Sequence, residues 1–515
     1  MKSLPVKPDL TEALAVLACE VLPQLASCGY RGVFSGLRIK ASPSRRQRPQ
    51  FTSLPNETLT EILKHLEWRD VLALRQCCRS LYSLSKERHV WYNLFLKYHK
   101  TTFAQPYFLP KPLEHCSSDD LENHVTSWWS VLGNTTGESI TVATYAFDRT
   151  FDPRLIDHLL PLHNGHYLYG APDGTILYGD PCRPEMGMRV LAPSPFSGEA
   201  NVDTYVALDF HLSRDPDVRR NSFPTSFRLA VTRQPRNDPG VVEIWEITSQ
   251  LEQGVLTGYS TALLQSITEH PHVNIRHCSI FAEHVAYVID GRDNFIAIVD
   301  WTKVEDDKPL SRTFIPRGTA IEKLFLLPSK RIFVMYNMSV SIRDWGRTCS
   351  STTLHEDPAF RLWVDPQWEH PQCSRCLHPF ITPYIVRDYT RFVLACRDHI
   401  VGISIPNDPE ADIKTSVTTT RLAEAPLRSA IAEDYSFGYS KGAYYNHYSG
   451  AYHHLTYNWP DDEPLVCSVG TVRRSAIFNP RCIHYDGARG LIYTFRRYDG
   501  LACSVIGSMS TGSQV

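Results

Sequence analysis

Leu54-Pro55-Asn56-Glu57-Thr58-Leu59-Thr60-Glu61-Ile62-Leu63-Lys64-His65-Leu66 reads as one amphipathic helix with its start marked. Proline suits a first helical turn, because the N–H it lacks would have no partner there. Leu59, Ile62, Leu63 and Leu66 follow at i, i+3, i+4 and i+7, which makes one apolar face. Glu57, Thr60, Glu61 and Lys64 lie off that face. Downstream, the pattern predicts a second helix capped by Asp70, with Leu74, Cys77, Cys78 and Leu81 at the same spacing. A third set comes next: Val90, Trp91, Leu94, Phe95 and Tyr98. Three short helices in about fifty residues make too small a unit to bury all their apolar faces. Part of that surface is therefore expected to meet a partner.

The stretch resembles an F-box over residues 51–98. Leu54 to Leu66 is similar to its first half. Asp70-Val71-Leu72-Ala73-Leu74-Arg75-Gln76-Cys77-Cys78-Arg79-Ser80-Leu81 is similar to its second, and Trp91 falls at the family's late tryptophan. The resemblance implies docking on a Skp-type adaptor and, through it, on a cullin–RING ubiquitin ligase. By position, Leu54, Pro55, Leu59, Ile62, Leu63, Leu66 and Leu72 match the adaptor-facing or supporting positions. Two departures are mild: Thr58 stands where an aliphatic residue is common, and Cys77 where valine is common.

The module covers a small part of 515 residues. A chain this long implies further structural units. Hydrophobic residues at 43% and charged residues at 21% suit a folded protein. The net charge of -2 argues against a nucleic-acid binder, which usually carries a basic excess. The 14 cysteines are scattered, which points to free thiols in a reducing compartment, the cytoplasm or nucleus. No apolar run is long enough to span a bilayer. Residues 1–50 are expected to be flexible. They include a possible amphipathic helix (Leu10, Leu14, Leu17, Val21, Leu25) and a basic Ser/Pro linker at 40–49. Residues 99–150 form a bridge: an aromatic, proline-rich loop, then a helix capped by Ser118 with Leu121, Val125, Trp128, Trp129 and Leu132 on one face. That helix is expected to pack on the domain after it.

From 151 to 515 the pattern becomes short β runs. Ala171-Pro172-Asp173-Gly174-Thr175 marks a turn between two of them. Runs ending in Trp245, Trp301 and Trp345 recur at intervals of roughly 50 residues, each after another apolar run: 227–231, 284–289 and 331–336. Further pairs lie at 391–396 with 400–405, and 482–485 with 491–495. Paired strands at this interval predict a β-propeller of about six to eight blades. The endings resemble degenerate WD repeats without the usual Gly-His pairs. A pair of β-sandwiches is the alternative. The fold class expected is thus α+β multidomain: a small all-α F-box module, then an all-β domain.

Four stretches could carry chemistry or binding. Gly438-Tyr439-Ser440-Lys441-Gly442 matches an esterase nucleophile elbow, but that motif needs a helix after it. The next residues, 443–450, are aromatic and turn-like, so the reading is a β-turn. Cys373-Ser374-Arg375-Cys376, with His370 and His378, crowds four possible zinc ligands into one short loop and reads as structural. The aromatic run 435–459 offers Tyr444, Tyr445, His447 and Tyr448 as a target surface, or else buried strand aromatics. Arg214, Arg219 and Arg220 could meet an acidic or phosphorylated target. No phosphate loop, dinucleotide fingerprint or metalloprotease motif is present.

The leading expectation is a non-catalytic substrate receptor, with no cofactor or metal and with neither nucleic acid nor membrane as partner. A scaffold that binds the adaptor without ubiquitin transfer is the second. A hydrolase built on Ser440 is the third.

Overall fold

The computed structural model describes residues 54–129, 143–144, 160–162, 165–180, 187–196, 202–210, 222–290, 295–305, 308–316, 321–336, 339–346, 350–351, 366–370, 381–386, 388–396, 398–424, 435–446, 451–461, 469–473, 482–486, 491–496 and 500–505. The expected helix at 10–25, the linker at 40–49 and Leu132 lie outside these residues. The chain divides into two compact units. One is Met1–Tyr98 with Ser117–Thr126; the other is His99–Cys116 with Ser127–Val515.

The first unit is helical: α1 (Asn56–His65), α2 (Trp68–Arg75), α3 (Arg79–Ser85), α4 (Arg88–Thr101) and the first part of α5 (Ser118–Trp129). Pro55 is the N-cap of α1, and its carbonyl accepts from Thr58 and Leu59. The apolar spacing buries Leu59, Ile62 and Leu63 with Val71, Leu74, Leu81, Val90, Trp91 and Phe95. Three expectations are corrected. Asp70 does not cap α2; Glu67 holds that place, and the Asp70 carboxylate in the first turn accepts from the Glu67 backbone N–H. This is the reciprocal half of a capping box. The spacing through Cys77 and Cys78 is also not one helical face. Cys78 is extended and starts α3, so the expected second helix is two helices with a break. For α5 the cap lies one residue earlier than expected. Ser117 Oγ accepts from the Asp120 N–H at 3.1 Å, and Asp120 accepts from the Ser117 N–H at 2.8 Å.

The second unit holds seven antiparallel sheets among the described residues, in chain order. A short strand β1 (Ala143–Thr144) comes first. The first sheet is β2 (Leu160–Pro161), β3 (Tyr167–Gly170), β4 (Ile176–Gly179) and β5 (Arg189–Ala192). The second is β6 (Asp203–Asp209), β7 (Ser226–Gln234), β8 (Val241–Glu252) and β9 (Val255–Thr268). The third is β10 (Asn274–Phe281), β11 (His284–Asp290), β12 (Phe295–Asp300) and β13 (Arg312–Pro316). The fourth begins with β14 (Ile321–Leu327), β15 (Arg331–Tyr336) and β16 (Val340–Asp344). The chain then adds β17 (Ser350–Ser351) to the edge of the third sheet, and β18 (Trp368–His370) completes the fourth. The fifth is β19 (Tyr384–Val386), β20 (Tyr389–Ala395), β21 (His399–Pro406) and β22 (Thr418–Glu424), with a single-turn helix α6 (Ile413–Ser416) before its last strand. The sixth is β23 (Tyr435–Phe437), β24 (Lys441–Asn446), β25 (Ala451–Thr456) and β26 (Val469–Arg473). The seventh is β27 (Cys482–Asp486), β28 (Leu491–Arg496) and β29 (Gly500–Val505). Its fourth strand is β1, paired antiparallel through Ala143 with Cys503 and Thr144 with Ala502. Seven sequential four-stranded meanders, the last completed by the first strand, make β-propeller architecture.

Side-chain alternation explains why the strands read so clearly. Along β15, Ile332 and Val334 pack towards the third sheet, while Phe333 and Met335 pack towards the fifth. Along β7, Phe227, Leu229 and Val231 join the first sheet, and Ala230 joins the third. Strands such as β15 and β21 are buried on both faces, so their sequences are largely apolar throughout. Phe333 and Phe392 stack face to face across the fourth and fifth sheets, with centroids 4.1 Å apart. At the next junction Gly402 lies against the Trp459 ring, where an added Cβ would come within 2.5 Å.

The aromatic, proline-rich segment after α4 is seated on the β unit. Gln105 and Ile385 exchange two backbone hydrogen bonds of 3.0 and 2.9 Å. The Leu109 N–H donates to the Ser222 carbonyl at 2.8 Å. Phe108 packs on Phe210, and Trp128 on Tyr439, at 5.0 and 5.5 Å between centroids. Lys441 Nζ donates to the Ser127 carbonyl at 2.6 Å, near the C-terminus of α5, where a helix favours a cation. Phe210, Ser222 and Tyr439 flank or lie in connections between first and second strands of their sheets.

Candidate docking surfaces

In the helical unit, the sequence positions fall into two groups. Leu59, Ile62 and Leu63 are buried in the unit's own core. Leu54, Leu66 and Leu72 are half-buried, and Pro55 is exposed. The first three shape the module from beneath, and the other four remain accessible to a partner. The structure adds Tyr82, which is 51% exposed and lies under the Arg75 guanidinium, 6.0 Å from the ring centroid. Sequence reasoning missed it because Tyr82 falls between the buried Leu81 and Leu84, off the apolar spacing.

A charged network holds these helices. Arg75 grips Glu122 through two bonds of 2.6 and 2.9 Å and donates to Ser85 Oγ at 2.9 Å. Lys86 reaches the same Glu122 at 3.0 Å and Asp119 at 3.1 Å. Burial pulls the Lys86 ammonium down, but the Glu122 and Asp119 carboxylates outweigh it and hold it above the ordinary lysine range. Glu67 binds both Lys97 and Tyr98. Burial raises its carboxyl, yet these donors leave it below the usual value.

Residues 51–97 match the F-box-like family model. The helical module is F-box-like. None of the curated proteins matches the chain. Among solved structures, the chain is similar to the β-propeller domain of Cps50 (Swd1) from Myceliophteria thermophila. Identity is 10%, coverage is 70% of this chain and 99% of that one, and the TM-score is 0.41. A chain of the mitotic checkpoint complex matches at 9% identity over 74% of this chain and 96% of that one, TM-score 0.39. The WD40 domain of SCAP from fission yeast matches at 10% identity, over 69% and 85%, TM-score 0.34. The propeller assignment itself rests on the order of the seven sheets.

Outside the F-box-like module, the aromatic run 435–459 is mostly core. Tyr444 is 3% exposed and stacks on His453, centroids 4.9 Å apart, so as a target-facing residue it is corrected. Lys441, Ala443 and Tyr444 are all buried, so both faces of this central strand are covered. Tyr435, Tyr439, Tyr457 and Trp459 are buried too. Tyr445 lies in β24, and nothing further is described of its side chain. His447, Tyr448, Arg214, Arg219 and Arg220 lie outside the described residues. Gly438 to Ser440 joins β23 to β24 as a tight turn, with Gly438 N–H donating to the Lys441 carbonyl at 2.7 Å. A strand follows where an esterase elbow needs a helix. Ser440 is buried. Cys373, Cys376 and His378 lie outside the described residues, and His370 is in β18. Among the described residues, no group of three or more His, Cys, Asp or Glu is placed to hold a metal. Among them too, no helix is long and apolar enough to cross a membrane.

One buried pair titrates unusually. Burial pushes Lys441 down to about 8. Burial, then the Lys441 charge, pushes His454 down to about 3. For His454 the unfolded chain takes up its proton near pH ~6.5, while the folded chain resists until about 3. Between those values the unfolded state binds more protons, so stability falls as pH drops. A His454→Leu variant removes this contribution. Its urea midpoint should shift less between about pH 7 and about pH 5 than that of the wild type. An equal shift in both proteins would assign the acid lability elsewhere.

Proposed function

We propose that the chain is a non-catalytic substrate receptor. On this reading the F-box-like module docks a Skp-type adaptor and so a cullin–RING ubiquitin ligase, and the β-propeller holds the target protein. The observation that carries it is the F-box-like match over residues 51–97, in a helical unit that leaves Leu54, Pro55, Leu66 and Leu72 accessible. A propeller suits the second task because it is a rigid scaffold for variable connecting loops. The seating of residues 99–116 favours one end of it for the target. That segment meets connections between first and second strands, so on this reading the target takes the opposite end, which carries turns such as Ala171 to Thr175 between β3 and β4. Action in the cytoplasm or nucleus belongs to the same reading.

Co-purification of the full chain with a Skp-type adaptor tests it. Wild type should retain the adaptor, and Leu54→Ala with Pro55→Ala should lower the affinity about tenfold, a loss near 1.4 kcal/mol. These side chains are not in the core, so the double variant should stay folded. No adaptor binding by wild type, or equal binding by the variant, would sink the proposal.

A further inference from the structure

The seven sheets end in outer edge strands of very different character. An exposed edge offers unpaired backbone groups, and proteins usually blunt it with charge, proline or short length. Here β5 carries Arg189, β18 carries Glu369, β22 carries Arg421 and Glu424, and β26 carries Arg473. The third and seventh sheets end in the two-residue strands β17 and β1. The second sheet does neither; its edge is interrupted only by bulges at Thr257 and Leu264 in the ladder to β8. β9 runs for 14 residues, Val255–Thr268, without a single charged side chain. Among the described residues it pairs only with β8.

Its central part is open on both faces. Ser260, Thr261, Ala262, Leu263 and Leu264 are all exposed, with Leu263 at 48% and Leu264 at 38%. Consecutive exposed apolar residues on an edge strand are what a folded chain avoids unless they pair. The strand is also held firmly in place. Gln253 and Gly254, both at positive φ, close the β8–β9 turn, and a Cβ on Gly254 would fall 2.4 Å from His115. Towards that turn Arg189 Nη1 already donates to the Thr257 carbonyl at 2.8 Å, so the available edge begins beyond it.

We infer that β9 is a self-association edge: the Ser260 to Ser266 runs of two copies pair antiparallel across a two-fold axis at Leu263 and join their second sheets into one. Charge decides the occupant. A charged side chain placed against this edge would lose water and find no partner in β9. A strand fits if it is itself uncharged, and β9 is such a strand. Antiparallel self-pairing is isologous, so each residue meets the same surface it presents. With Leu263 opposite Leu263, no like charges oppose one another, which would destabilise the pair. The buried patch is small for a permanent interface, so the dimer should form and dissociate with concentration. This goes beyond adaptor docking and does not depend on it.

Sedimentation velocity on the full chain at increasing concentration provides the test. Wild type should shift from monomer to dimer. Leu263→Glu and Leu263→Lys should each weaken dimerisation at least about tenfold, because like charges then face each other across the axis. An equimolar mixture of the two variants should regain the dimer through opposite charges, which also demonstrates that both are folded. A wild type that stays monomeric, variants that dimerise as wild type does, or a mixture that stays monomeric would each overturn the inference. So would a monomeric wild type that instead takes an extended segment of another protein on this edge.

Discussion

Replacing Arg233 with alanine should destabilise the β unit by about 3–5 kcal/mol, the range for breaking a buried ion pair from one side. Arg233 is fully buried at the end of β7. It is bonded to the carboxylate of Glu243, itself buried on β8. Its Nε donates to the Gly174 carbonyl at 2.7 Å, and Nη2 to the Pro193 carbonyl at 3.2 Å. One side chain therefore ties the second sheet to two connections of the first. Burial disfavours its charge and lowers it from the ordinary arginine value, with Glu243 opposing that fall. Alanine would leave the Glu243 carboxylate inside without its cation, still accepting from the neutral Trp245 Nε1 at 3.0 Å. The cost comes mainly from that stranded charge. Arg233→Met with Glu243→Leu should therefore cost much less than Arg233→Ala alone, because no uncompensated charge remains. Urea unfolding of the three proteins measures this. A single variant within about 1 kcal/mol of wild type would mean the pair is solvated in a way this geometry excludes.

Related clasps recur with different partners. Arg331 donates to the carbonyls of Pro406, Asp408 and Ala411 from the neighbouring sheet, at 2.6, 2.9 and 3.0 Å. Arg391 binds Asp461 through two bonds of 2.6 Å and lies 4.4 Å from the Trp459 ring centroid. Arg312 grips Glu269 at 2.8 and 2.9 Å beside the Tyr287 hydroxyl. Each spans a junction between sheets, where apolar packing alone is indifferent to register. Directional bonds to fixed carbonyls supply that register.

Such contacts mark the limit of what a sequence discloses. The strands were legible because runs such as Arg331–Tyr336 are buried on both faces, and the turn at Ala171 to Thr175 was legible because its residues dictate its geometry. The recurrence of Trp245, Trp301 and Trp345 placed the blades, since each lies at or just after a third strand. Nothing local predicts that Arg233 meets Gly174, 59 residues away. The seating of residues 99–116 was illegible for the same reason, because its bonds run to Ser222 and Ile385. The break at Cys78 misled for another: two cysteines at apolar spacing look like a face, yet Cys77 is exposed. The accessible members of the docking set could not be sorted from the buried ones, because spacing gives a face but not what covers it. Tyr444 illustrates the converse, since aromatic density is equally the mark of a surface and of a core.

On the proposed reading, Trp91→Ala should remove adaptor binding by unfolding the helical unit rather than by touching the adaptor. Trp91 is 0% exposed, and its Nε1 donates to the Ser85 carbonyl at 2.7 Å, linking α4 to the end of α3. The Arg75 guanidinium, anchored by Glu122, lies 5.7 Å from the ring centroid. Truncating a buried tryptophan costs about 3–5 kcal/mol. A whole domain is stable by only about 5–15 kcal/mol, and one this small lies near the bottom of that range. The cost is then comparable to everything the unit has. Hydrogen exchange separates this from a lost contact: amides of α1 to α4 should lose protection in the variant, while those of β7, β11 and β15 keep theirs. Trp91→Phe retains most of the buried ring and should keep measurable protection and binding. Protection of α1 to α4 unchanged in Trp91→Ala would mean that the core of this module closes around some other residue, and the division between supporting and accessible positions would fail with it.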